Sequence, residues 1–309
     1  MTRGIGAVVV SYNTRDLLRA CLASLRPEEP DEVVVVDNAS PDGSADMVRK
    51  ELPWVRLIAN PDNRGFGSAA NQGFAACRSP CVLLLNADTE VAPGALAALR
   101  RELDRHPEAA VAGPRLLDPD GSHQPSCYPF LTPFNLLALG TWLNRLVRVA
   151  PSLRRRFLPV WAPGPACSVD WVKGAAMAIR RQAFEAVGGF DASFFLYAEE
   201  MDLCWRLRAA GWEVRFTPEA RVVHVEGAST RQRRAAMFLQ QFASLEQFYR
   251  RHYPPSYRTR LRWAVSATMT EWLVRDSLKL LAAKDPGRRR RLAEDVRLWR
   301  LLLGGRASP

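Results

Sequence analysis

The stretch Val82-Leu83-Leu84-Leu85 runs without a break into Asn86-Ala87-Asp88. Four consecutive apolar residues, rich in Leu and Val, read as a strand buried on both faces. Such strands belong to parallel sheets, whose crossover connections lay helices on either side. The chain offers matching partners. Ile5 to Val10, Glu32 to Val36 and Val55 to Ala59 are further apolar runs. Between them lie helical patterns at Asp16 to Leu25, from about Ala45, and at Ser68 to Cys77. This alternation predicts a mostly parallel sheet flanked by helices over the first ~115 residues. In open α/β sheets, ligands sit beyond the carboxyl ends of the strands. Asp88 falls at that edge, one residue from the Asn86 amide, where a carboxylate can hold a divalent cation against a diphosphate. A plain Asx turn ending a strand is the alternative.

Three other groups of residues suggest chemistry. Asp37 ends the second strand at the same edge, suited to a nucleotide base or ribose, or else to capping the turn after it. Glu199-Glu200-Met201-Asp202 sets three carboxylates in four residues. A helix dipole favours acids in the first turn, and Asp202 can pair with Arg206 at i, i+4. That accounts for one or two of them, not three beside Phe194-Phe195-Leu196-Tyr197. A carboxylate in apolar surroundings has a raised pKa and can act as a general base. His224, on a predicted strand, reads as a packed or surface histidine unless it joins Asp88 at a metal. Gly65-Phe66-Gly67-Ser68-Ala69-Ala70 matches a dinucleotide fingerprint, but Asn60 to Arg64 separates it from its strand. It reads better as a Gly-rich loop letting backbone approach a ligand.

The 309 residues suffice for one large α/β domain with an appendage. Six scattered Cys without a C-x-x-C pair suggest reduced thiols in a cytosolic chain. No signal peptide is expected, because the first residues lead straight into a strand pattern. The eight prolines between Asp118 and Pro165, with Arg154-Arg155-Arg156, predict a long excursion containing a short helix near 134–148. Of 43 Lys+Arg and 32 Asp+Glu, 18 and 6 fall after residue 230, leaving 25 and 26 before it. A near-neutral body, 1–230, thus carries a basic amphipathic helical extension, 231–309. No module for nucleic acid accompanies Arg288-Arg289-Arg290-Arg291, and none is expected to bind. An anionic membrane surface suits the extension, with the arginine run and Leu292 to Leu303 as the expected contact. A solvated helical cap is the plainer alternative.

The residues now carry a resemblance. Val8 to Asn13, Val36 to Ser40, Asn63 to Gly67 with Asn71 and Gly73, and Leu85 to Asp88 resemble glycosyltransferase family 2. So do Gly174 to Met177, Gly188 to Asp191, Phe195 to Cys204 and His224, within a bacterial rhamnosyltransferase-like branch. The resemblance implies the GT-A fold and an inverting, metal-dependent transfer from a nucleoside-diphosphate sugar. It implies donor contacts from Ser11, Tyr12, Asn13, Asp37, Asn63, Gly65, Asn71, Asn86, Ala87 and Gly174. Asn86-Ala87-Asp88 stands where the family has its Asp-x-Asp motif. Asp88 becomes the principal ligand for Mg2+ or Mn2+, with Asn86 and His224 beside it. Glu200 takes the place of the catalytic Asp as general base, with Asp202 the alternative or an acceptor-binding residue. The implied acceptor is a glycan or polyprenyl-diphosphate-linked sugar of cell-wall or surface polysaccharide, at the cytoplasmic face of the membrane. The loop 118–165 is expected to help choose that acceptor. Rhamnose from a dTDP donor is expected, with a UDP-sugar as competitor. Two rivals remain at this stage: a dinucleotide-dependent oxidoreductase using Gly65 and Gly67, and a non-catalytic sugar-nucleotide-binding subunit, which Asn86 favours.

Overall fold

The computed structural model describes residues 4–130, 132–143, 164–225 and 234–304. Arg154-Arg155-Arg156 and the second half of the helix expected near 134–148 lie outside them. The chain forms two compact units: Met1–Phe130 with Pro159–Gln232, and Leu131–Leu158 with Arg233–Pro309.

In the first unit, β1 (Ile5–Ser11), β2 (Val33–Asp37), β3 (Arg56–Ala59) and β4 (Cys81–Asn86) are parallel, in the order β3-β2-β1-β4. The chain moves outward from β1 to β3, then crosses back to β1's other side for β4. The strand order therefore switches at β1, where doubly wound sheets open a ligand crevice. Register makes the edge level: Ser11 pairs with Asp37, and Val10 with Asn86.

Every residue of β1 and β2 is buried, because helices cover both faces. Ala7, Val9, Leu83 and Leu85 pack with Leu18, Leu22 and Leu25 of α1 (Arg15–Leu25), Met47 and Val48 of α2 (Ser44–Glu51), and Leu96, Leu99 and Leu103 of α4 (Ala95–Arg105). Val8, Val10, Val82 and Leu84 point the other way. They meet Ala69, Ala70 and Phe74 of α3 (Phe66–Ala76), Phe184 of α6 (Arg181–Ala186), and Leu203, Cys204 and Leu207 of α7 (Glu199–Ala209). The two-residue alternation of a strand sorts its side chains between these cores. Helix α3 approaches so closely that a Cβ on Gly73 would lie 2.2 Å from Val8.

Beyond β4 the sheet is mixed. β11 (Ala176–Arg180) inserts antiparallel between β4 and β6 (Ala109–Leu117), and β12 (Glu213–His224) lies parallel to β6. The two strands expected at 213–216 and 221–225 are thus one, interrupted by a register shift between Thr217 and Arg221. Pro218, which lacks an N–H for the ladder, sits at the interruption. β5 (Thr89–Val91) pairs with the end of β12. The excursion at 118–165 opens not as a loop but with β7 (His123–Gln124), a hairpin back onto β6, and β8 (Cys127–Tyr128), paired with β10 (Trp171–Val172). β9 (Cys167–Val169) adds to β12.

The second unit is helical: α5 (Pro133–Gly140), α8 (Arg234–His252), α9 (Pro255–Ala282) and α10 (Pro286–Leu303). Trp272 Nε1 donates to the carbonyl of Gly140, and the Glu271 carboxylate accepts from the Trp142 N–H at 2.9 Å. Val296, Leu298 and Trp299 are buried, Trp299 against Phe238 and Trp272 with Nε1 on Asp276 Oδ2 at 3.1 Å. Much of the apolar side of α10 that was expected to meet a membrane is therefore packed inside. Leu301 and Leu303 near the end of α10 stay exposed, and a larger exposed apolar group lies on α9, where Trp263, Val274, Leu278 and Leu281 fall within about 60° of one another at 100° per residue. Among the described residues, no helix is long and apolar enough to cross a membrane.

Candidate functional site

The carboxyl edge of β1, β2 and β4 gathers the first group of residues. Asp37 is 2% exposed. Its Oδ2 accepts from the Ser40 N–H at 3.0 Å, so the turn-capping reading holds for one oxygen. The first N–H of α2 is met by Asp42, one residue before the Gly43 N-cap, whose Oδ1 accepts from the Ser44 N–H at 3.0 Å. Asp37 Oδ1 is buried with no partner among the described residues. Leaving such an acceptor unmatched costs about 1–3 kcal/mol, which a ligand N–H or O–H would recover. Ser11 is buried against Thr14, Asn13 takes φ 55° with its N–H on Ser40 Oγ, and Tyr12 stands 44% exposed beside them.

Asn86-Ala87-Asp88 is held by its backbone. The Asn86 N–H bonds the Ala175 carbonyl at 3.0 Å, Ala87 bonds Val10 at 3.2 Å, and the Asp88 carbonyl accepts from Val225 at 2.9 Å. Among the described residues, neither the Asn86 amide nor the Asp88 carboxylate bonds its own turn, which removes the Asx-turn reading. Asp88 Oδ1 instead lies 3.5 Å from His224 Nε2, a ring carried to the same edge by the end of β12. An oxygen and a nitrogen ligand side by side fit a divalent cation that takes its remaining ligands from diphosphate and water. Among the described residues no group of three or more His, Cys, Asp or Glu side chains gathers for a metal. Behind His224, Gln124 Oε1 is 2.7 Å from Nδ1, and Gln124 Nε2 donates to Asp118 Oδ1 at 2.7 Å.

The acidic cluster divides by role. Tyr197 (φ 69°) and Ala198 (φ 67°) are consecutive left-handed non-glycine residues immediately before α7. Each costs roughly 1–2 kcal/mol, strain of the kind that accumulates at functional sites. Glu199 is buried, and burial together with the Glu200 charge pushes its carboxyl well above the usual range. Glu200 lies along Gly174, with its carboxyl also raised by burial but opposed by hydrogen bonds from its own backbone and the Gly174 N–H, and by nearby Lys173. Both acids have an Oε2 with no partner among the described residues. Asp202 is different. It is fully buried and bonded to Arg206 Nε at 2.7 Å, while Arg206 also donates to the carbonyls of Val187 and Gly189 at 2.7 and 2.8 Å. That geometry makes Asp202 a fastener of the loop before α7, with no accessible oxygen to take a proton or touch an acceptor.

Several residues expected to contact the donor are engaged within the protein. Asn71 clamps the backbone of Phe190, giving and receiving at 2.8 and 2.9 Å. Asn63 Oδ1 accepts from Asn38 Nδ2 and from the Gly65 N–H. Gly65 has φ 80°, and a Cβ there would lie 2.5 Å from the Phe195 carbonyl. The loop was expected to let backbone approach a ligand; the close approach at Gly65 is to the protein's own segment before α7. The same packing removes the oxidoreductase reading, since no strand leads directly into Gly65. Gln124, Asp118 and Lys173 carried no signal in the sequence. They lie 30 to 106 residues from Asp88 and His224, and only the sheet assembles them.

Residues 7–135 match the profile of Glycosyl transferase family 2, and residues 81–306 that of Glycosyl transferase family group 2. Over 298 residues the chain is 32% identical to the N-acetylglucosaminyl-diphospho-decaprenol L-rhamnosyltransferase of Mycobacterium tuberculosis, covering 90% of this chain and 95% of that one. It is 31% identical over 225 residues to the Pre-mycofactocin glycosyltransferase of the same species, covering 72% and 43%. The solved mannosyltransferase from Pyrobaculum calidifontis, in complex with GDP-Man and Mn2+, has a TM-score of 0.57 at 20% identity, covering 97% and 83%. This last likeness is one of fold.

Proposed function

The chain belongs to glycosyl transferase family 2 and is a nucleotide-sugar-dependent glycosyltransferase, and we propose that it moves rhamnose from dTDP-rhamnose to a polyprenyl-diphosphate-linked N-acetylglucosamine, inverting the anomeric centre. The 32% identity along nearly the whole of both chains carries this reading. Asp37 Oδ1, the unmatched acceptor, takes the imide N–H of a pyrimidine base or a ribose hydroxyl. Asp88 and His224 hold Mn2+ or Mg2+ against the donor diphosphate. When bound, the cation neutralises charge on the departing nucleoside diphosphate. Glu200 is the base: Gly174 and Lys173 favour its ionised form, and its buried Oε2, with no partner among the described residues, is left to accept from the acceptor hydroxyl. Glu199, whose carboxyl is pushed higher by burial and by the Glu200 charge, is the one of the two that holds its proton more readily, which disfavours two charges in one apolar pocket. Asn63, Gly65, Asn71 and Asp202 form the frame rather than the site.

A polyprenyl-linked acceptor calls for a membrane surface, and we place the contact on the second unit. Arg288 to Arg291 are exposed there, and the apolar face of α9 stands open beside Arg275 and Lys279. Cations near an anionic surface contribute about 1 kcal/mol each. This is peripheral attachment at the inner face of the plasma membrane. The test of function is a donor panel: dTDP-rhamnose, UDP-N-acetylglucosamine, UDP-galactose and GDP-mannose, each with a short polyprenyl-diphosphate N-acetylglucosamine acceptor and Mn2+. A rhamnosylated product with inverted linkage by NMR is expected. Turnover with UDP-sugars alone overturns the sugar assignment, and no turnover with any donor overturns the acceptor assignment.

A further inference from the structure

We infer that Gln124, oriented by Asp118, is a positioning residue that locks His224 in one tautomer and so turns its Nε2 lone pair toward Asp88. A carboxylate only accepts, so the group that Gln124 presents to Asp118 Oδ1 at 2.7 Å is its NH2. The amide carbonyl must then face the other way, where His224 Nδ1 lies at 2.7 Å. Lys173 Nζ, a pure donor, also approaches that carbonyl at 3.4 Å and opposes a flip. An acceptor at Nδ1 requires Nδ1–H. The neutral ring then carries its lone pair on Nε2, 3.5 Å from Asp88 Oδ1.

Burial makes the constraint strict. Gln124 is 2% and His224 4% exposed, so bulk water does not supply an alternative partner. The β6–β7 hairpin is the mount. Leu116 pairs with Gln124 and Leu117 with His123, and the turn between is closed by the Gly121 and Ser122 N–H groups and by the Ser122 hydroxyl on Asp118 Oδ2. Outer-shell partners of this kind set the tautomer and basicity of a metal-ligating imidazole, and losing one costs about 10–100-fold in metal affinity.

The inference rests on the proposed metal role of His224, and two separate readouts keep them apart. The first is nitrogen-15 NMR of the imidazoles in the full-length, metal-free protein. The chain has four His, so a His224→Gln spectrum identifies the resonance. In the wild type, His224 should carry its proton on Nδ1 alone. A proton on Nε2, or a mixture, overturns the proposal whatever the variants do. The second readout is Mn2+ affinity, followed by the electron paramagnetic resonance of free Mn2+. Gln124→Leu should mix the tautomers and weaken Mn2+ binding 10–100-fold. The double variant Asp118→Asn with Gln124→Glu keeps net charge and reverses the Asp118–Gln124 bond. A carboxylate then faces Nδ1, and both the Nδ1–H form and the affinity should return. An unchanged tautomer in Gln124→Leu, or affinity that the double variant does not restore, refutes it. If His224→Gln itself leaves Mn2+ affinity unchanged, the metal assignment fails while the tautomer measurement still judges the relay.

Discussion

Glu200→Gln and Asp202→Asn remove the same charge two residues apart, and the structure assigns them opposite consequences. Asp202 is fully buried on Arg206, which in turn holds the carbonyls of Val187 and Gly189. Removing one partner of a buried pair costs about 3–5 kcal/mol, because the other charge is left uncompensated. The Arg206 side chain retains 23% exposure, so water recovers part of its hydration and the lower end applies, about 3 kcal/mol. At roughly 2–4 °C per kcal/mol for a unit of this size, Tm should fall about 6–12 °C. Turnover per folded molecule should stay within about threefold, since the carboxylate touches no reacting atom. Glu200→Gln removes a carboxylate that burial already disfavours, so Tm should hold or rise. Turnover should fall 10²–10⁴-fold, the usual size for a lost general base. That is about 2.7–5.5 kcal/mol of activation free energy at 1.36 kcal/mol per decade. Thermal unfolding and acceptor-dependent nucleotide release on the same preparations give both numbers. An Asp202→Asn protein that melts like the wild type yet has lost turnover would refute the assignment.

Glu199 sets a pH dependence with a definite sign. Its folded-state carboxyl lies well above the ordinary 4.5, so the native state holds the proton more tightly and stability falls as pH rises from about the ordinary value through the folded one. Glu199→Gln should flatten that slope and gain stability over the wild type at pH 8 but not near pH 4, read as urea midpoints. Asp88→Ala should abolish Mn2+-dependent donor binding by calorimetry while leaving Tm within about 2 °C, because the carboxylate caps no backbone; Asn86→Asp should bind Mn2+ at least as tightly. For the membrane, Leu278→Glu with Leu281→Glu on α9 should reduce co-sedimentation of the full chain with anionic vesicles and leave Tm unchanged, since both residues are more than 60% exposed. Equal partitioning on neutral and anionic vesicles would return this unit to the role of a helical cap.

What the sequence determined by itself was local and periodic. Runs such as Val33 to Val36 and Val82 to Leu85 admit few states other than buried strands, and the helical spacings between them made a parallel βαβ sheet the economical outcome. Asp37, Asp88 and the 199–202 acids were visible because each breaks that local logic: polar residues follow strands abruptly, or like charges crowd. What only the tertiary structure decided was how those residues divide their work. The i, i+4 spacing offered Asp202 a pairing with Arg206 but left it open as an alternative base; only the fold buries Asp202 fully on Arg206 and lays Glu200 along Gly174. Asn63, Gly65 and Asn71 read as ligand contacts, yet their partners Asn38, Phe195 and Phe190 arrive from 25 to 130 residues away. The apolar side of α10 read as a surface for lipid because periodicity reports which side is apolar, not what covers it. Gln124 has no local signature at all. Its place behind His224 follows from two strands, β7 and β12, pairing with the two edges of the same stretch of β6, Leu116 and Leu117, a pairing that hydrogen bonds between distant residues alone select.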